Sequence, residues 1–206
     1  YYDKRNKKML FTIQTPAVTG CTSAVVNLGE VQNKGYEFAL NTRNLVGKLE
    51  WSTGFNITFN KNKVLSMSTP NDKIYGNTGG RGNTNVTMVG RPIGVFYSKR
   101  VLGVFNSDAE ATAYGLQPFA KAGDFKFKDV NNDKKIDDND REIIGSPHPD
   151  YFFGFNNTFA YKSFTLDILT NGMVGQKVYA ALFSLNNSAV QNNVAFIDEA
   201  RWRSAD

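Results

Sequence analysis

Residues 129–140 carry the types and spacing that can do chemistry: Asp129-Val130-Asn131-Asn132-Asp133-Lys134-Lys135-Ile136-Asp137-Asp138-Asn139-Asp140. Oxygen-bearing side chains recur at loop positions 1, 3, 5, 9 and 12, which are Asp129, Asn131, Asp133, Asp137 and Asp140. Such spacing curls around a hard cation, with the backbone carbonyl at position 7, Lys135, as a further ligand. The expected chemistry is structural binding of calcium, with Ile136 anchoring the loop in apolar surroundings. Two departures stand against it: Lys134 occupies the sharp turn that favours Gly, and Asp140 is shorter than the bidentate Glu of such loops. A solvated acidic turn uses Asp and Asn equally well, so both readings stay open at this stage.

The rest of the reactive inventory is thin. His148 is the sole histidine and Cys21 the sole cysteine, which removes Ser-His-Asp and Cys-His catalysis, a disulfide framework and a cysteine-based zinc site. Asp137, Asp138 and Asp140 suit a metal loop better than an acid/base pair, because no apolar pocket is legible to separate their pKa values. Residues 76–83 are glycine-rich but lack a Lys-Ser/Thr ending and a following helix, so an exposed loop is expected instead of a phosphate cradle. Ser107-Asp108-Ala109-Glu110 resembles a capping box opening a short helix. His148 lies in a turn, Ser146-Pro147-His148-Pro149-Asp150, before a strand. Tyr75, Tyr97, Tyr114, Asn186 and Asn187 combine rings and planar amides, which suit sugars and also a protein partner. No catalytic, cofactor-binding or substrate residue is assigned.

The elements that would position these residues are β-strands. The chain has 206 residues, 41% of them apolar, with 16 Phe, 9 Tyr and 18 Gly. No apolar run approaches the roughly 18 residues of a transmembrane helix, which leaves a barrel open because barrel strands are apolar only at alternate positions. The net charge of +5 is modest. Its one dense cluster, Lys4, Arg5, Lys7 and Lys8 beside Tyr1 and Tyr2, suits a solvated strand end or contact with anionic lipid headgroups. It is too small for a nucleic-acid footprint.

Period-two alternation predicts four strands. Over 35–42, Tyr36, Phe38 and Leu40 oppose Glu37, Ala39 and Asn41. Over 51–60, Trp51, Thr53, Phe55, Ile57 and Phe59 oppose Ser52, Gly54, Asn56, Thr58 and Asn60. Over 151–161, Tyr151, Phe153, Phe155, Phe159 and Tyr161 oppose Gly154, Asn156 and Thr158. Over 164–172, Phe164, Leu166 and Ile168 oppose Thr165, Asp167 and Asn171. A further strand pair is expected over 9–14 and 92–105. Residues 44–48 and 162–163 read as tight turns, whereas 63–149 is far longer than an ordinary loop. Rings at strand ends, small polar residues opposite, and short turns alternating with a long excursion are the pattern of an outer-membrane barrel.

Several stretches, in order, resemble SusC/RagA-type TonB-dependent transporters. They are 27–38 (an N-x-G-x-x-x-N-K-G-x-E pattern ending in Asn33-Lys34-Gly35-Tyr36-Glu37), 51–64, 90–94, 123–129, 140–147 and 150–159. The resemblance covers nearly the whole chain. It implies an all-β fold: a segment of a large transmembrane antiparallel barrel of about 22 strands, with long extracellular loops and a plugged lumen. On that view residues 1–206 are an incomplete barrel segment without plug or closing strands, and both ends are expected to be cuts in a longer protein. Region 63–149 would be mostly extracellular loop with one intervening strand, containing the calcium-like loop 129–140. The resemblance further implies the outer membrane of a Gram-negative bacterium and import of oligosaccharides or peptides. Its expected partners are TonB (through the missing N-terminal part), a SusD-like surface lipoprotein and outer-membrane lipid, with no enzymatic activity. One alternative is a secreted all-β carbohydrate-binding or adhesion module with a calcium-stabilised loop. A β-rich glycan-acting enzyme is a weaker one, because it needs two carboxylates converging in a cleft.

Overall fold

A computed structural model describes residues 1–14, 23–27, 29–67, 73–77 and 83–180. In chain order the elements are β1 (Tyr2–Lys7), β2 (Leu10–Gln14), β3 (Ser23–Asn27), β4 (Glu30–Leu45), β5 (Leu49–Ser66), β6 (Lys73–Asn77), β7 (Asn83–Met88), β8 (Val95–Lys99), β9 (Val101–Val104), α1 (Asp108–Tyr114), β10 (Phe125–Phe127), a 3-10 turn (Asp138–Asp140), β11 (Arg141–Gly145), β12 (Tyr151–Tyr161) and β13 (Phe164–Val174). They form a five-stranded sheet in the order β1-β4-β5-β12-β13, a four-stranded sheet β11-β8-β7-β6, and the pairs β10-β9 and β2-β3. Two compact units emerge: Tyr1–Ile74 with Val86–Val95 and Ser146–Lys177, and Tyr75–Asn85 with Phe96–Gly145.

The five-stranded sheet holds all four strands expected from alternation, and every pairing in it is antiparallel. Its register aligns the rings. Tyr36 pairs with Phe59 and Phe59 with Tyr151; Phe38 pairs with Ile57 and Ile57 with Phe153; Leu40 pairs with Phe55 and Phe55 with Phe155. A one-residue slip would turn every ring to the polar face, so the alternation itself specifies this register. Short connections join β4 to β5 and β12 to β13, the latter through Lys162 in the left-handed region (φ 55). Gly35 is required where β4 meets β5, because a Cβ there would stand 1.9 Å from the Phe59 carbonyl oxygen.

β4 and β5 run to 16 and 18 residues, beyond the expected limits, because 30–34 and 61–66 continue the pairing. At that end a small core forms from Val31, Val64 and Met67, with Met9, Ile74, Val89 and Ile93 packed on it. Burying each valine contributes about 1.5–3 kcal/mol. The chain at Gly90 and Arg91 hydrogen-bonds to both sides of the Val64 peptide, at 2.8 and 2.9 Å.

In the second unit Phe105 is fully buried against the Tyr114 ring, 5.6 Å away. The expected helix start is present. The Ser107 side chain accepts from Glu110 N–H (3.1 Å), and the Glu110 carboxylate in turn accepts from Asn106 N–H (2.9 Å), one residue earlier than the motif requires. Gly115, at φ 68, closes the helix.

Three expectations are corrected. Among its described residues, region 63–149 holds six strands and a helix where one strand was expected, because its short strands lack sustained alternation. Residues 10–14 pair with 23–27, not with 92–105. The stretch 92–105 is two strands that part at Arg100, β8 pairing with β11 and β9 with β10. The basic cluster at 4–8 lies mostly in β1, which pairs with 30–35 of β4.

Candidate functional site

The acidic loop folds around its own backbone. Asp129 accepts from Asn132 N–H (2.7 Å) and Lys134 N–H (3.0 Å). Asn131 accepts from Asp133 N–H (3.1 Å), Asp133 from Lys135 N–H (3.1 Å) and Asp137 from Asn139 N–H (2.7 Å). Asn132 and Lys134 take φ values of 61 and 65, so the left-handed turn expected at position 6 exists and a lysine bears its strain, about 1–2 kcal/mol. Half-buried Ile136 donates its N–H to the Leu116 carbonyl (3.1 Å).

Asp140 is the structural keystone of this loop. Fully buried, it accepts from Val130 N–H and Asp137 N–H, each at 2.8 Å. The backbone N–H groups of Asp137 and then Val130 hold its carboxyl below the usual carboxylate range. The Lys135 ammonium lies 3.9 Å from Asp133 and 3.5 Å from Asp137, so an internal cation neighbours two of the expected ligands. Among the described residues no three His, Cys, Asp or Glu side chains converge as a metal-binding group. Asp129, Asn131, Asp133, Asp137 and Asp140 thus share one loop with Lys135, their side-chain oxygens engaged by peptide N–H groups.

The five-stranded sheet offers a different kind of site, a two-faced wall. On one face lie Tyr36, Phe38 and Leu40 of β4, Phe55, Ile57 and Phe59 of β5, the rings of β12, and Phe164, Leu166 and Ile168 of β13. None of them is among the buried core residues, and Phe38, Phe155 and Phe164 are 55%, 38% and 78% exposed. The rings interlock across strands: Phe38–Phe55 at 6.5 Å, Phe55–Phe155 at 6.4 Å, Phe59–Tyr151 at 5.5 Å, and Trp51 stacked on Phe159 at 5.7 Å. A water-soluble sandwich would bury this face under a second sheet. Spanning 11 residues, β12 rises about 37 Å along its length, or roughly 26–30 Å at barrel tilt, the height of a hydrocarbon band.

The opposite face carries Glu37, Asn41, Ser52, Gly54, Asn56, Thr58, Gly154, Asn156, Thr158 and Asp167, with a Thr158 to Asp167 hydrogen bond of 2.5 Å. Phe152, Leu169 and Met173 interrupt it with apolar side chains. The sequence reading also missed a polar row inside the aromatic face. There Thr53 and the Trp51 indole N–H donate to Asn157 (2.8 and 3.0 Å), and Asn44 donates to Thr53 (2.6 Å). Pairing these donors internally is what hydrocarbon demands of a polar group. Parity alone would have placed Asn157 beside Phe155 and Phe159.

The remaining candidates take structural roles. A His148 ring nitrogen lies 2.9 Å from the Ile93 carbonyl oxygen, which makes it the donor. Tyr97 is buried against Tyr75 at 6.2 Å, and the Tyr114 hydroxyl donates to the Phe127 carbonyl, leaving Tyr75 as the exposed ring of the three. Residues 78–82 of the glycine-rich stretch, Cys21, Asn186 and Asn187 lie outside the described residues.

No family model matches the chain. Two TonB-dependent receptors of Formosa agariphila are 35% and 32% identical over 182 and 205 residues, covering 87% and 96% of this chain. TonB-dependent receptor SusC of Bacteroides thetaiotaomicron is 24% identical over 205 residues and 97% of the chain. The chain spans 18–20% of the length of these relatives. Among solved structures, the RagAB peptide transporter superposes with a TM-score of 0.67 at 16% identity, over 84% of this chain and 18% of that one. The RagAB peptide importer in its open-open state gives 0.64 at 17% identity.

Proposed function

The chain belongs to the SusC/RagA-type TonB-dependent receptors, outer-membrane β-barrel proteins and not enzymes, and from that premise we propose that it builds wall and outer rim of an importer of oligosaccharides or peptides. In this reading TonB supplies the energy through parts of the protein outside this chain, and a SusD-like surface lipoprotein closes the entrance. The observation that carries it is the two-faced sheet: one side of exposed rings in register over four strands, the other polar. The peptide alternative draws support from the fold shared with the RagAB peptide transporter. The oligosaccharide alternative draws on the likeness to SusC and on exposed Tyr75.

Deleting the gene for the full-length protein and growing cells on oligosaccharide or peptide mixtures as sole carbon source tests the proposal. The expected result is loss of growth on one class, restored by the intact gene and not in a strain lacking TonB. Unchanged growth on every oligosaccharide and peptide supplied removes it.

We also propose that loop 129–140 takes up calcium as a structural ion, with affinity in the roughly 0.1–1 mM range of extracellular modules. Its oxygen spacing and the left-handed turns at Asn132 and Lys134 support this. Binding would displace the Lys135 ammonium from Asp133 and Asp137, so Lys135→Gln is expected to tighten calcium severalfold. Calorimetric titration of the full-length protein checks it; no heat of binding in either form at millimolar calcium ends this reading.

A further inference from the structure

Resting on the reading of the sheet as an outer-membrane wall, we propose that Lys34, Lys61 and Lys63 bind the phosphate groups of an anionic glycolipid in the outer leaflet. Strand parity puts these three side chains on the same face as Tyr36 and Phe59, directly beyond the ring belt. Lys34 is paired with Lys61, and Gln32 with Lys63, across β4 and β5. All three lysines are exposed, and none takes part in any ion pair among the described residues. Like charges directly opposite on neighbouring strands repel, and a bridging anion reverses the sign of that contact.

The surroundings fit a lipid at its head-to-tail boundary. A cavity of about 240 Å³ is lined by Tyr1, Tyr36 and Phe59 on its apolar side and by Lys34, Lys61 and Asp150 on the other. The nearby charges are accounted for. Asp3 accepts from Gln32 and lies 3.7 Å from Arg5, Glu30 lies 3.8 Å from Arg5, and His148 is held at the Ile93 carbonyl. Asp3, directly opposite Lys34 across β1, is thus engaged by Gln32 and Arg5, and Asp150 is the one carboxylate in the cavity lining. The short connections lie at the other end of the strands, while the long excursion from Ser66 to Tyr151 leaves from the lysine end. That end faces the cell exterior, where a phosphorylated glycolipid meets cations held just above a ring belt. The lysine stems extend over the rings while the ammonium groups stay at headgroup depth.

The test uses the full-length protein in phosphatidylcholine nanodiscs doped with diphosphorylated lipid A or with its dephosphorylated form, bound lipid being counted by native mass spectrometry. Wild type is expected to retain the phosphorylated lipid. The triple variant Lys34→Gln, Lys61→Gln, Lys63→Gln is expected to lose about thirtyfold or more of that affinity, and the triple arginine variant to keep it. Equal retention by the glutamine variant, or equal binding of the dephosphorylated lipid, overturns the proposal. So does displacement by inorganic phosphate at concentrations matched to the lipid, since the ligand would then be a soluble anion. Heat-modifiable gel migration verifies that each variant is folded. Should the triple variant not fold, Lys61→Gln alone, expected to weaken binding about fivefold, decides. Failure of wild type to enter nanodiscs at all would instead count against the membrane wall.

Discussion

Arginine in place of Phe155 is expected to cost the barrel about 2–4 kcal/mol of folding free energy in lipid, whereas arginine at the adjacent Asn156 costs far less. Phe155 sits near the middle of β12, between the Tyr151 and Tyr161 ends, with Phe55 opposite it and Thr170 on the other side. Its side chain therefore meets hydrocarbon close to the midplane, where an ammonium or guanidinium must thin the bilayer or pull water inward. Asn156 points to the polar face, where Gly54 and Leu169 are its neighbours and water or a plug can solvate a charge. Urea unfolding of the full-length protein into and out of lipid vesicles measures both. Were the ring face open to water instead of lipid, arginine at either position would be nearly neutral. Equal, small effects at 155 and 156 would therefore sink the membrane reading.

Removing the Asp140 carboxylate is expected to unlock the outer loop around residues 129–145 while leaving the five-stranded sheet folded. Asp140→Ala leaves the part-buried Val130 and Asp137 N–H groups without the fully buried acceptor that now holds them. Amide exchange at Val130 and Asp137 should accelerate by about tenfold or more, measured by hydrogen exchange on the full-length protein. Because peptide N–H groups hold the Asp140 pKa below that of an unfolded aspartate, the native loop binds its proton less readily than the unfolded one. Its contribution is thus fully present above about pH 4 and is lost as pH falls through the lowered folded value. Unchanged protection at neutral pH in Asp140→Ala would show that the carboxylate is incidental. Run in the presence of a calcium chelator, the same experiment separates this role from calcium binding, since the two backbone bonds need no metal.

The contrast between these regions explains what could be read in advance. β12 was legible to the residue and β13 to within two residues at its end, because alternation over ten residues admits a single face assignment. The ends of β4 and β5 were not, because Glu30, Gln32, Lys61 and Lys63 are polar on the face that leaves the membrane, and alternation stops there while hydrogen bonding continues. The acidic loop was legible as a stretch of closely spaced Asp and Asn oxygens, open to a calcium site or a solvated turn. Which atoms those oxygens accept from depends on the path of the backbone, and the sequence says nothing about Asp140 reaching back to Val130. Phe152, Leu169 and Met173 show the reverse failure: apolar residues on a polar face break a binary pattern without saying what covers them.

Local periodicity and turn chemistry by themselves determined that this chain makes long antiparallel strands with one greasy and one polar side, joined by two tight turns and one long excursion. Those features depend on near neighbours, and near neighbours are written in order along the chain. Only the tertiary structure decided which strands pair beyond the hairpins, that the excursion folds into sheets of its own, and that Lys34, Lys61 and Lys63 stand together above the rings. Those outcomes join residues as far apart as β5 and β12, where register is set by packing and shared hydrogen bonds and not by spacing in sequence.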